Sequence, residues 1–136
     1  MTIQLSLTVR NAMLDTIETT VGTSAIVHIF SLSPPGQTTN SDTGTLLASF
    51  QLASDWMSAA SAGVKAFSST PLTDSSADGT GTAGHFRLKN SAGTVVHMQG
   101  TVNTTGASAD MTIDNPSVVA GQTVQITSWT LTAGNA

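Results

Sequence analysis

The 136-residue chain, 39% hydrophobic, has room for one core, yet charged side chains make up only 9% of it, against roughly 25% in an ordinary soluble domain. Four Lys and Arg against eight Asp and Glu give a net charge of −4, and aromatics reach 4%. Together these exclude the basic stripe and stacking platforms of a nucleic-acid binder, and with no Cys neither disulfides nor thiolate metal sites support the fold.

The start, Met1 to Ser6, has neither the basic nor the continuous apolar region of a secretory signal, which points to synthesis in a cytoplasm. Ile3, Leu5, Leu7 and Val9 alternate, a pattern that a short strand over residues 2–8 would explain. A helix is expected over about 9–21. Val9, Met13, Leu14, Ile17 and Val21 recur three to four apart as one apolar stripe, and Gly22 supplies the stop. Such a helix should lie flat on its apolar side, with Glu18, the only glutamate, on the exposed side.

From Ala25 onward the pattern becomes one of short apolar runs separated by Gly, Pro, Asn, Asp and Ser, the signature of β-structure. Ala25 to Phe30 is apolar on both faces and predicts a central strand, with His28 as a core histidine. Pro34-Pro35-Gly36 breaks the chain, and a polar loop runs to Gly44. Leu46 to Leu52 alternates as the next strand. After a connection around Trp56, a half-buried rim residue, a short strand covers Val64 to Ser68. Thr70 to Gly84 is the longest loop candidate.

A hairpin follows. A three-residue loop Ser91-Ala92-Gly93 pairs Leu88 with Val96 and Phe86 with Met98 on the buried face, so His85, Arg87, Lys89, His97 and Gln99 share the opposite face. Ala109, Met111 and Ile113 form the inner side of another strand, closed at Asn115-Pro116. The last strand starts with Val124 and Ile126 inward and continues with Trp129 and Leu131, which have the opposite parity; a bulge near Thr127-Ser128 reconciles them. The sum is one all-β domain over residues 1–136, an antiparallel β-sandwich of jelly-roll or immunoglobulin-like topology with one short N-terminal helix and strands from about 25 to 133.

Chemistry-bearing constellations are few. Asp74-Ser75-Ser76-Ala77-Asp78-Gly79 copies the first half of a calcium loop, but His85 stands where the bidentate Glu belongs, so a solvated turn is the better reading. His85 and His97 share a face with Arg87 between them, a poor zinc site. Asp110 and Asp114 are too far apart along one strand for a close carboxylate dyad. The expected reading is therefore non-enzymatic, with no catalytic residue, cofactor or metal. Arg87 and Lys89, half of the chain's cations, together with His85 and His97 form a basic strip, a candidate docking face for an acidic partner or an ordinary solvated face.

Several segments carry a resemblance: Arg10 to Thr20, Asp55-Trp56-Met57, Thr80 to Arg87, His97-Met98-Gln99-Gly100 and Thr130 to Ala136. The chain resembles a family of small virion structural proteins of tailed bacteriophages, of the head decoration or cement type. The resemblance implies a β-sandwich that clamps neighbouring copies of the major capsid protein, a homo-oligomer at the capsid surface of the virion, made in the host cytoplasm, with no nucleic-acid or membrane partner. Loops Pro34 to Gly44 and Thr70 to Gly84 and the termini would supply the contacts. A neck or tail component is the nearest alternative. A receptor- or carbohydrate-binding module at a tail tip is the other, with Trp56 and Trp129 as its only large aromatic platforms.

Overall fold

The computed structural model describes residues 3–68 and 72–134. One helix, α1 (Leu7–Val21), precedes nine strands: β1 (Ile26–Ser31), β2 (Leu46–Gln51), β3 (Val64–Ala66), β4 (Leu72–Asp74), β5 (Gly81–Lys89), β6 (Val96–Thr104), β7 (Met111–Ile113), β8 (Ser117–Val118) and β9 (Val124–Thr132). Helix α1 begins where Ser6 accepts a hydrogen bond from the Val9 amide and ends at Gly22, whose φ of +91° suits glycine. Residues 7 and 8 are thus helical, and no strand forms over the described part of 2–8.

The strands form one mixed sheet in the order β2-β1-β5-β6-β7-β9-β3, with β4 on β9 and β8 on β5, curled into a half-barrel. Two stacked antiparallel sheets were expected; the strands instead run continuously, because β6 and β9 are long enough to change partners along their length. The first two-thirds of β6 pairs with β5, and its end runs parallel to β7. Strand β9 pairs with β4 and β7 at its start and with β3 at its end. Strand β4 and the first residues of β5 lie where the Thr70 to Gly84 loop was expected, and β8 follows directly on the Asn115-Pro116 turn; Thr70 falls outside the described residues.

Thr127 is the extra residue between the Thr112–Ser128 and Ile113–Ile126 pairs, so the anticipated bulge is present. Its hydroxyl bonds those of Thr105 and Thr112 at 2.7 and 2.9 Å. By changing the parity of β9, the bulge turns both Ile126 and Trp129 inward, and both are buried. Trp129 then packs on Phe67 at 4.4 Å between ring centroids, Phe86 at 5.1 Å and Trp56 at 6.3 Å. Around this aromatic cluster sit Val27, Ile29, Leu47, Phe50, Leu88, Met111 and Ile113.

Both sheet margins are closed by local structure. On β2 the Ser49 amide donates to Asp74 and the Leu47 carbonyl accepts from the Asp78 amide. Beside β3, the Ser58 amide donates to the Ala66 carbonyl and Met57 bridges Phe67. The oxygen-rich Asp74–Gly79 turn thus caps an edge, which blocks strand addition by another chain.

Candidate functional site

The strip His85, Arg87, Lys89 lies on the outer face of the sheet, opposite Phe86 and Leu88, as alternation requires. It is not a solvated face. The chain between β1 and β2 folds back over β1, β5 and β6 as a strap, leaving His85 at 0%, Arg87 at 1% and Lys89 at 6% exposure. Two glycines permit this approach. A Cβ at Gly84 would overlap the Leu32 carbonyl oxygen, and one at Gly44, whose φ is +78°, would overlap that of Ser31.

The strap is held by the strip. Arg87 Nη1 donates to Asp42 Oδ1 at 2.6 Å, and its Nη2 donates to the carbonyls of Thr38 and Asn40 at 2.7 and 3.0 Å. Lys89 Nζ donates to Asp42 Oδ2 at 2.6 Å. His85 Nδ1 donates to the Leu32 carbonyl at 2.9 Å while its ring stacks on Phe30, and Gln99 Nε2 donates to the Pro35 carbonyl. Burial raises the Asp42 carboxyl and is the largest single influence, but hydrogen bonds from Lys89 and Arg87 and their positive field together hold it below the ordinary carboxylate range. The expected docking face is therefore occupied by the chain's own strap.

His97 is not part of it. The turn closes through Asn90, whose amide donates to the Val95 carbonyl and whose Oδ1 accepts from the Thr94 and Val95 amides. That lengthens the loop, so Leu88 pairs with Met98 and Phe86 with Gly100, two residues from the expected register. His97 is the extra residue of a bulge between the Lys89–Val96 and Leu88–Met98 pairs. It lines a groove against α1 with Met98, Met13, Ile17 and Val21.

His28, expected in the core, sits on the outer face of β1 opposite Arg87 and is half-buried. Burial lowers its pKa most, Lys89 lowers it further, and Asp42 and Asp78 work the other way. Between that lowered value and the ordinary ~6.5, the unfolded chain binds more protons, so this group's contribution to stability falls as pH drops below ~6.5. Urea denaturation at pH 7 and pH 5.5 should show His28→Gln losing less stability on acidification than the wild type; equal losses would reject this assignment.

Helix α1 is oriented unlike an ordinary surface helix. Its charged residues face the body of the protein. Arg10 Nη1 donates to the Ala133 carbonyl at 3.1 Å, and Asp15 Oδ1 accepts from the Ala60 amide and from Lys65 Nζ. Glu18, expected to be exposed, accepts from the Trp56 and Met57 amides and pairs with Lys65 at 3.1 Å. Lys65 is 3% exposed; burial alone would lower its pKa, but hydrogen bonds to Asp15 and Glu18 and their negative field raise it above the ordinary value. Of the expected apolar stripe, Leu14 and Val21 are buried and Ile17 is partly so, while Val9 and Met13 remain 44% and 53% exposed.

Trp56, expected at a rim, is 2% exposed, as is Trp129. Asp110 accepts from the amide and hydroxyl of Thr101, and Asp114 from the Gln125 amide. Among the described residues no three His, Cys, Asp or Glu side chains stand close enough to hold a metal ion, and no helix is long and apolar enough to cross a membrane. No family model, curated protein or solved structure matches the chain.

Proposed function

We propose that this chain is a non-enzymatic assembly module, a decoration protein that binds and stabilises the major capsid protein shell of a tailed phage as a homo-oligomer. The observation that carries the assembly role is the inverted helix. Arg10 and Glu18 point inward, Asp15 sits at the margin, 47% exposed and tied to Lys65 and the Ala60 amide, and the outward face, Thr8, Val9, Ala12, Met13, Thr16, Thr19 and Thr20, bears no charge. Threonines at 16 and 19 turn their hydroxyls back to the carbonyls of Ala12 and Asp15, which leaves methyl groups as much of what that face presents.

A face of this kind loses little on desolvation and gains from burial of Val9 and Met13. Its complement is an equally uncharged surface, and repeated copies around a shell convert modest contacts into firm attachment. The closed sheet margins fit this reading, since side-chain packing then has to make the joint. The resemblance of the quoted segments to phage virion proteins supplies the identity of the shell. Burial of both tryptophans leaves the carbohydrate-binding alternative without the aromatic platform it relied on.

Met13→Asp tests the reading. Met13 has little to lose in the isolated chain, so its stability should change by no more than ~0.5 kcal/mol, whereas co-sedimentation with undecorated heads should fall at least tenfold. Val119→Asp, at another exposed apolar position, serves as the control and should bind normally. Retained binding by Met13→Asp, or a handful of copies per purified particle instead of hundreds, would reject the proposal.

A further inference from the structure

The strap and the β5–β6 turn enclose a cleft of about 540 Å³ lined by Thr38 to Asp42, Arg87, Lys89 and Gly93 to Val96. Its floor contains two cations and one carboxylate. Asp42 neutralises one charge, which leaves an excess of one positive charge in a protein of net charge −4. The hydrogen bonding is incomplete in the same place. Among the described residues Arg87 Nε is buried without a partner, and Lys89 Nζ donates to Asp42 and otherwise lies 5.8 Å over the Phe30 ring, so it retains N–H groups to use. Buried donors left unmade cost about 1–3 kcal/mol each, more when charged.

Asp42 itself shows which ligand chemistry the floor accepts, since its two oxygens are divided between Arg87 and Lys89 at 2.6 Å each, the charge-assisted geometry of carboxylate and phosphate recognition. Ser41 lines the wall together with Thr39 and Thr94, whose hydroxyls are engaged with Gln37 and Asn90.

We propose that this cleft is an oxyanion site, in which Lys89 and Arg87 bind a carboxylate or phosphate group beside Asp42. The ligand supplies the negative charge the floor lacks and takes up the unused donors. The site is independent of the α1 face and of the decoration role.

The experiment uses the intact chain at constant ionic strength, titrated with inorganic phosphate and separately with acetyl-tetraglutamate, read by calorimetry and by amide chemical shifts. Saturable binding is expected from at least one probe, with shifts concentrated at residues 38–42 and 93–96. Tighter binding of the peptide assigns the site to a partner's carboxylate, and tighter binding of phosphate to a free ion. Lys89→Gln should weaken binding at least tenfold. Asp42→Asn, whose amide oxygen can still accept from Arg87 and so keep the strap seated, should tighten it at least fivefold, because it raises the charge of the floor, whereas an ion cluster serving only to hold the strap predicts no gain. Absence of saturable binding by both probes, or undiminished binding by Lys89→Gln, overturns the proposal even if Asp42→Asn proves too unstable to titrate.

Discussion

Asp42→Ala is expected to destabilise the protein by about 3 kcal/mol and to open the strap locally around residues 41–44. The carboxylate is the shared partner of two cations that are 1% and 6% exposed, and its removal leaves both charges buried without an anion. Removing one member of a buried pair costs about 3–5 kcal/mol. The lower figure applies because the Asp42 side chain is itself 38% exposed, so water screens part of the interaction. Arg87 would keep its bonds to the Thr38 and Asn40 carbonyls, which favours local opening around residues 41–44 before global unfolding.

The pH dependence follows from the sign of the shift. Because the folded carboxyl lies below its unfolded value of ~3.9, the stabilisation is fully present above that value and declines as pH falls through the folded one. Chemical denaturation of wild type and Asp42→Ala should therefore give curves that differ by a near-constant amount at neutral pH and converge below ~pH 4. Hydrogen exchange should show the loss of protection concentrated at the Ser31 and Thr45 amides, which donate to the Thr45 carbonyl and the Ser31 hydroxyl at the base of the strap. Unchanged stability would mean that Arg87 and Lys89 are adequately solvated without Asp42.

Local signals in the sequence locate the helix to within two residues of its start, the bulge at Thr127, and the inward side of β5. Each depends on neighbours along the chain: a cap, a parity change, an alternation. The strap was out of reach for the opposite reason. Alternation correctly separates His85, Arg87 and Lys89 from Phe86 and Leu88, but it reports two faces without saying what covers the second. One signal was present. Asp42 is the only Asp, Glu, Lys or Arg between Glu18 and Asp55, and a solitary carboxylate in a Pro-anchored loop is a natural partner for a solitary pair of cations on a strand. The hairpin register failed because Asn90, a turn-closing side chain, was assigned to the strand. Glu18 failed because hydropathy assumes that charge faces water, whereas here it satisfies two backbone amides that α1 brings within reach.

Glu18→Ala should be the most damaging single truncation of a charged residue on α1, at about 3–4 kcal/mol. The carboxylate does two separable things. Oε1 accepts from the Trp56 and Met57 amides at 3.1 and 3.0 Å, and Oε2 pairs with Lys65 at 3.1 Å. Truncation leaves two amides in a part-buried setting without an acceptor, at about 1–3 kcal/mol for each unsatisfied group. It also leaves Lys65 dependent on Asp15, whose side chain is 47% exposed, and on the Ser58 carbonyl. Asp15 therefore limits the loss from the ion pair, which holds the total below a plain sum. Glu18→Gln separates the two contributions. Its amide oxygen can still accept from both backbone amides, so only the pairing with Lys65 is lost, and the cost should fall to about 1–2 kcal/mol. Equal destabilisation by Ala and Gln would place the whole effect in the ion pair. Because Trp56 also donates from its indole nitrogen to the Gly22 carbonyl at 2.9 Å, loosening this clasp moves α1 and the aromatic cluster together, and thermal melts followed by tryptophan fluorescence and by circular dichroism should shift in parallel. The same change should weaken attachment to a shell, since the charge-free face of α1 is presented outward only while Arg10 and Glu18 are held inward.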